Sequence, residues 1–311
     1  MKIGVLGTGF GAYHIKLYSM MEGVEAVYVF GRNLDKLNEL NTKYGSHIVT
    51  DINEIMNNDE IDFIDICLPN ELHREYAILA MKHGKHVFCE TPIAYSLEDA
   101  YAMQEAKQKY GKHLMVNLFL RFEYAYEVLA SFVQEGKFGN INKIQIQRYT
   151  PPLWGDLGLN KIVTDLMIHD IDFVSYLLGS TDKVQVAKVV GTEGQCAVSA
   201  ICTYDNAFAE INASSMMPYG YPFAVSYEVI FEQAVVRYFE DGYENRLDAK
   251  LTVFTENKQE EIPLIQNNCY EKCLNYVLQI IKTSKIPIND VSEAVKSLEI
   301  ANHIKKLITF N

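Results

Sequence analysis

The chain has 311 residues, of which 49% are hydrophobic, and a formal net charge of -12. Such a length suits two domains rather than one, and the apolar share can fill a sizeable core. A surface this acidic repels phosphate backbones and anionic lipid, which excludes nucleic acid and membrane surfaces as expected partners.

In chain order, Lys2 to Leu6 is a short apolar run with glycines directly after it. Residues from about Phe10 to Met21 have helical spacing, and Val24 to Phe30 (VEAVYVF) reads as a second strand. Leu34 to Tyr44 returns to helical spacing. His47 to Val49 is a short strand, and Ile52 to Asn57 a short helix with Asp51 as N-cap. Ile61 to Leu68 (IDFIDICL) reads as a buried strand. Glu71 to His83 follows as a helix ended by Gly84 in a left-handed C-cap. His86 to Cys89 is the next strand. Ser96 to Tyr110 is a helix with Ser96 as cap and Asp99 in place of the usual capping-box Glu. Leu114 to Phe119 closes a strand–helix alternation that predicts a doubly wound parallel sheet, an α/β Rossmann domain.

From about Phe122 the alternation stops. Glu123 to Glu135 reads as a helix. Ile141 to Tyr149, Lys183 to Val190, Cys196 to Tyr204, Ala207 to Met216, Phe223 to Phe231 and Val235 to Tyr238 read as strands. Leu251 to Thr255 and Glu261 to Leu264 suit a last hairpin, and Cys269 to Lys282 and Val291 to Leu307 suit helices. Strands in succession predict a mixed, mostly antiparallel sheet. The change of pattern sets the expected domains at 1–120 and 121–311.

Gly7-Thr8-Gly9-Phe10-Gly11-Ala12 fits G-x-G-x-x-A, placed between the first strand and the first helix. Gly7 allows the sharp turn, Gly9 lets backbone amides approach a diphosphate, and Ala12 keeps helix and strand close. The helix N-terminus offers unpaired N–H groups and the positive end of its dipole. These features predict a nicotinamide dinucleotide. At the end of the second strand an acidic residue would favour NAD; Gly31-Arg32-Asn33 stands there instead. No carboxylate repels a 2′-phosphate and Arg32 can pair with one, so the expectation is NADP, with NAD allowed.

Six cysteines are scattered without C-x-x-C spacing, so neither a zinc site nor any other metal is expected. The N-terminus lacks an apolar signal region, and no apolar run approaches the roughly 20 residues that span a bilayer. The expectation is a cytoplasmic protein.

Leu68-Pro69-Asn70-Glu71-Leu72-His73 and Gly84-Lys85-His86-Val87-Phe88-Cys89-Glu90-Thr91-Pro92 resemble the P-N-x-x-H and G-K-H-V-x-x-E-K-P motifs of the glucose–fructose oxidoreductase and inositol dehydrogenase family. The resemblance continues through Arg121 and the run from Asp165 to Asp172. It implies a Rossmann domain followed by a domain on a large open sheet, through which such proteins form homodimers or homotetramers. It implies NAD(P)-dependent hydride transfer to or from a sugar, polyol or related small molecule. By position it implies that Leu68, Pro69, Asn70 and His73 line the cofactor, alongside Thr8, Phe10, Gly11 and Asn33 of the first two loops. Glu90 would meet the nicotinamide end, and Arg121, Asp165 and His169 would face substrate. The family lysine is Thr91 here, which brings no positive charge and does not titrate near neutrality.

Asp165 and His169, four apart on an expected helix, would share one face. A carboxylate beside an imidazole raises its pKa, and histidine suits acid–base work near neutrality. His169 is therefore the expected acid/base, with Asp165 and Thr91 in support, against the plainer reading of a capping Asp and a core His. Asp172 reads as a structural partner and Asp170 as surface charge. Trp154, in the loop Tyr149 to Lys161, could stack on a sugar face or simply pack under the loop. The alternative to an enzyme is a non-catalytic dinucleotide-binding sensor or regulatory protein, motivated by Thr91. A sugar lyase or hydrolase working through transient oxidation is a third reading.

Overall fold

The computed structural model describes residues 1–153, 155, 157–242 and 248–310. The first half is β1 (Lys2–Leu6), α1 (Gly11–Tyr18), β2 (Ala26–Phe30), α2 (Leu34–Tyr44), β3 (His47–Val49), α3 (Ile52–Met56), β4 (Ile61–Ile66), α4 (His73–Lys82), β5 (His86–Cys89), α5 (Leu97–Tyr110) and β6 (Leu114–Val116). The strands pair in parallel in the order β3-β2-β1-β4-β5-β6. β1 and β4 are almost wholly buried, as strands covered on both faces must be, although β4 carries the buried Asp65. Strand order reverses at β1, the switch point where open α/β sheets take their ligands.

Local chemistry sets the helix ends. Asn33, Asp51 and Ser96 accept backbone N–H bonds at the starts of α2, α3 and α5. Gly45 and Gly111 end α2 and α5 in the left-handed region. One start differs from the sequence expectation. Asn70–Leu72 forms a 3₁₀ turn, closed by Leu72 N–H on Pro69 O, and α4 begins only at His73.

The second half is α6 (Tyr124–Gln134), β7 (Ile141–Tyr149), α7 (Ile168–Leu178), β8 (Val184–Val190), β9 (Cys196–Thr203), β10 (Phe208–Ser214), β11 (Ala224–Phe231), β12 (Ala234–Asp241), β13 (Asp248–Thr255), β14 (Gln259–Ile262), α8 (Cys269–Ile280) and α9 (Val291–Phe310). Its sheet runs β14-β13-β12-β11-β7-β10-β9-β8. Only β7 and β10 pair in parallel among the neighbours. Burial alternates along the strands, so one face carries the core. Tyr126 anchors that core, edge-on to Phe173 and Tyr227 at 4.7 and 5.3 Å between centroids. The segment before α7, Ile162–Met167, is a π-helix rather than the α-helix its spacing predicts.

The chain divides into two units, Met1–Leu118 with Tyr270–Val295, and Phe119–Cys269 with the residues from Lys296 onward. The returning stretch is tied into the first unit. Asp290 forms an antiparallel bridge with Met115 and an ion pair with Lys107. Asn289 accepts from Val116 N–H at 2.8 Å and donates back to Val116 O at 3.0 Å. No described helix is long and apolar enough to cross a membrane.

Candidate active site

The glycine loop leaves β1 at the switch point, and its glycines meet different demands. Gly7 has φ +109°, and a Cβ there would lie 2.4 Å from the Cys67 carbonyl oxygen. A side chain at Gly9 would meet nothing within 4 Å, so the space beside that backbone is open. Gly11 packs the helix on the strand, with a Cβ falling 3.1 Å from Cys67 Cβ and 3.3 Å from Val5 Cγ1. Close packing thus falls on Gly11, not on Ala12 as expected from the motif. No side chain caps the start of α1, where Phe10 stands at the N-cap. An open cradle and an uncapped helix N-terminus fit a diphosphate. Thr8 lies against Gly31, and Phe10, 44% exposed, packs edge-on to Tyr270, an aromatic neighbour from α8 that no motif announces.

At the end of β2, Arg32 is exposed. Asn33 caps α2, its Oδ1 accepting Lys36 N–H at 3.1 Å. His73 is 2% exposed, and burial lowers its pKa. Its Nε2 lies 2.9 Å from Leu68 O, and its Nδ1 lies 3.2 and 3.3 Å from Pro92 O and Ile93 O and 3.4 Å from the Asn70 amide. Asn70 also donates to Pro92 O. These two side chains brace the loops from Leu68 and Thr91 rather than both facing a ligand. Pro69 is exposed and Leu68 partly so. The Thr91 hydroxyl donates to Asn117 O at 2.7 Å. Lys85 Nζ donates to Asn58 O.

Beneath the loop lies a buried polar chain that the sequence reading missed. His14 Nδ1 meets Asp65 Oδ2 at 2.8 Å, and Tyr18 OH donates to the same oxygen at 2.9 Å. His14 Nε2 lies 3.2 Å from Glu90 Oε1 without hydrogen-bond geometry, so that buried nitrogen has no hydrogen-bond partner. Asn117 Nδ2 donates to Glu90 Oε1 at 2.8 Å. Burial opposes a charge on His14, but Asp65 and Glu90 outweigh it and raise its pKa. Burial pushes Glu90 up to about 7 against the pull of His14, with Asp65 adding to the rise. Burial also keeps the Cys67 thiol protonated, well above its ordinary range. His14, Cys67 and Glu90 offer donors within 4.8 Å of one another. However, Cys67 Sγ sits 3.4 Å from Nδ1, the nitrogen already bonded to Asp65, and Glu90 faces the opposite nitrogen. Ligands on opposite sides of one ring make a hydrogen-bonded chain rather than a metal cage.

In the second unit, Asp165 lies in the π-helix and accepts the Thr164 hydroxyl at 2.9 Å. A π turn is rare and often marks a functional segment. His169 follows on α7, its ring 4.8 Å from that of Phe119. Its pKa runs opposite to expectation. Burial lowers it to about 3, and the Arg148 charge adds to the fall. Close packing around a ring that keeps some surface exposure holds His169 neutral.

Two buried ion pairs flank this segment. Arg148 makes a bidentate pair with Asp170 at 2.9 and 2.8 Å, so Asp170 is a fully buried partner and not surface charge. Arg121 pairs with Asp172 at 3.0 and 2.7 Å, Ser297 donates to Asp172 at 2.8 Å, and the guanidinium lies 4.4 Å over the Tyr176 ring. At 4% exposed, Arg121 has a structural partner in place of the expected substrate, while Asp172 is the structural partner foreseen. Trp154 lies outside the described residues.

A doubly wound sheet with an open glycine cradle at its switch point defines a dinucleotide-binding protein. The first 118 residues match the model described as the oxidoreductase family, NAD-binding Rossmann fold, and residues 126–237 match the GFO/IDH/MocA C-terminal domain. The chain belongs to this oxidoreductase family, and its first domain is an NAD-binding Rossmann domain. It is 30% identical over 192 residues to 4-carboxy-2-hydroxymuconate-6-semialdehyde dehydrogenase of Sphingobium, covering 58% of this chain and 59% of that protein. It is 28% identical over 235 residues to myo-inositol 2-dehydrogenase of Thermotoga maritima, covering 71% and 70%. The match thus spans less than two thirds of the first of these relatives. In fold the chain is similar to an Agrobacterium radiobacter oxidoreductase solved with NAD+, L-tartaric acid and magnesium (TM-score 0.85, 18% identity, 97% of this chain and 94% of that one). It is also similar to UDP-N-acetylglucosamine 3-dehydrogenase of Acidithiobacillus ferrooxidans (TM-score 0.84, 20% identity, 99% and 97%).

Proposed function

We propose that the chain is an NAD(P)-dependent oxidoreductase acting on a hydroxyl or carbonyl group of a sugar, polyol or related small molecule. The observation that carries this reading is the open backbone at Gly9 beside an uncapped α1, in a chain of this oxidoreductase family. The relatives named as dehydrogenases support it. When bound, the nicotinamide supplies the hydride acceptor or donor.

The residues divide the remaining work. Gly7 and Gly9 shape the diphosphate cradle, Arg32 pairs with a 2′-phosphate, and Glu90 stands at the nicotinamide end. Thr91 cannot act as its family counterpart would, because its hydroxyl is given to the Asn117 carbonyl. Proton transfer falls to His169, with Asp165 orienting substrate; a ring held neutral down to about pH 3 is a weak base, so bound substrate must raise its basicity for the transfer. A cytoplasmic homodimer or homotetramer, joined through the eight-stranded sheet, completes the proposal.

A panel of sugars, inositols and sugar nucleotides, followed by absorbance of the reduced cofactor, tests it. Turnover is expected with at least one, and His169→Ala abolishes it. Tight cofactor binding without turnover across the panel would leave a dinucleotide-binding sensor. An unchanged rate in the variant would remove His169 from the mechanism.

A further inference from the structure

The Asp65–His14–Glu90 chain is left unused by the chemistry above. Four elements bring its members together: α1 gives His14, β4 gives Asp65, Glu90 follows β5 and Asn117 follows β6. The groups facing Glu90 are His14 from α1, Asp65 and Cys67 from β4 and the residue after it, Cys89 from β5, the Asn117 amide, and the Thr91 backbone N–H. The thiols are held protonated by burial, and Phe10, Tyr18 and Phe88 surround His14 with uncharged rings. Two carboxylates therefore face one imidazole where little water screens them.

The two carboxylates are not equivalent. Asp65 is fully buried and bound by both His14 and Tyr18. Glu90 is 17% exposed, accepts the Asn117 amide and a long bond of 3.3 Å from Thr91 N–H, and faces a His14 nitrogen that has no hydrogen-bond partner. It is the member whose proton can come and go.

We infer that His14 is a positioning residue for Glu90, and that the Glu90 carboxyl gives up its proton when the oxidised cofactor, whose nicotinamide ring is cationic, binds, and keeps it for the reduced form, whose ring is neutral. The inference rests on the reading of Glu90 as the residue at the nicotinamide end. The step is a simple ionisation: the carboxyl O–H bond breaks, the electron pair stays on oxygen and the proton passes to solvent. The protein thereby matches its own charge to the redox state of the ligand, and affinity for the oxidised form rises with pH while affinity for the reduced form does not.

Calorimetry with NADP+ and NADPH, in buffers of different ionisation enthalpy between pH 6 and 8, counts the protons released. The intact protein is expected to release about half a proton near pH 7 with NADP+ and none with NADPH, because Glu90 is then half protonated. Glu90→Gln releases none with either. His14→Gln removes the favourable neighbour, so the midpoint of release moves up by roughly one pH unit or more. Equal release for both redox forms, release that survives in Glu90→Gln, or a His14→Gln midpoint at the original pH each overturns the inference. If His14→Gln does not fold, the first two measurements decide alone. Binding of both forms without a difference in protons sinks this inference only. Binding of neither sinks the proposed function with it.

Discussion

Replacing Gly7 and Gly9 separately by alanine distinguishes a glycine the fold needs from one the ligand needs. At Gly7 the backbone sits at φ +109°, and the new methyl would stand 2.4 Å from the Cys67 carbonyl oxygen. The conformation alone costs on the order of 1–3 kcal/mol. The clash adds to it, because relief requires moving the backbone after β4, so the expected loss is about 3–5 kcal/mol. At Gly9 the methyl meets nothing within 4 Å. Its effect on stability should stay within about 0.5 kcal/mol. It does stand where a diphosphate must approach, so dinucleotide affinity should fall at least tenfold, or about 1.4 kcal/mol. Denaturant unfolding and calorimetric titration with NADPH and NADH read the two quantities. A Gly9→Ala protein that binds both nucleotides as tightly as the parent would refute the phosphate-cradle reasoning. A Gly7→Ala protein of undiminished stability would refute the steric part.

Asp170→Asn leaves Arg148 buried opposite a neutral amide and should cost about 3–5 kcal/mol in denaturant unfolding, while Arg148→Met with Asp170→Leu recovers most of it. A loss below about 1 kcal/mol would contradict the role of that pair. His169 titrates near 3 when folded against an ordinary 6.5, so below 6.5 the unfolded chain binds the extra proton. Its contribution is whole above pH 6.5 and falls away as pH drops toward 3, by at most about 1.4 kcal/mol per pH unit and less where solvent screens it. His169→Asn should therefore lose less stability than the parent between pH 7 and 4, and parallel pH curves for the two proteins would contradict the buried, neutral ring. Arg32→Ala should weaken NADPH binding about tenfold or more and leave NADH nearly unchanged, as loss of one charge-assisted contact implies; equal effects on both would remove the 2′-phosphate argument.

Local signals were legible. Asn33, Asp51 and Ser96 start helices because a cap needs only its own next residues, and the alternating strands of both sheets follow from apolar spacing. The glycine cradle was legible for the same reason. β12 runs Ala234–Asp241, beyond the Val235 to Tyr238 expected, because Phe239, Glu240 and Asp241 gain ladder partners on β11 and β13 that no local pattern contains. Distance in sequence hid most of the rest. Asp170 looks like surface charge until Arg148, 22 residues earlier, folds against it. His14 carries no motif of its own, since its partners lie 51 and 76 positions along the chain. The environment of His169 was misjudged because spacing supplied Asp165 as its neighbour, while folding supplied burial and Arg148.

The return of Tyr270–Val295 changes what counts as a separable piece. An expression fragment stopped at Leu118 would leave the β6 rim bare, lacking Asn289 against Val116 and Asp290 against Met115 and Lys107. A ribosome that has released the first 118 residues has made an incomplete nucleotide-binding half, which waits for residues 270–295 to be made. A free-standing version calls for a permuted or two-piece chain that restores this strap.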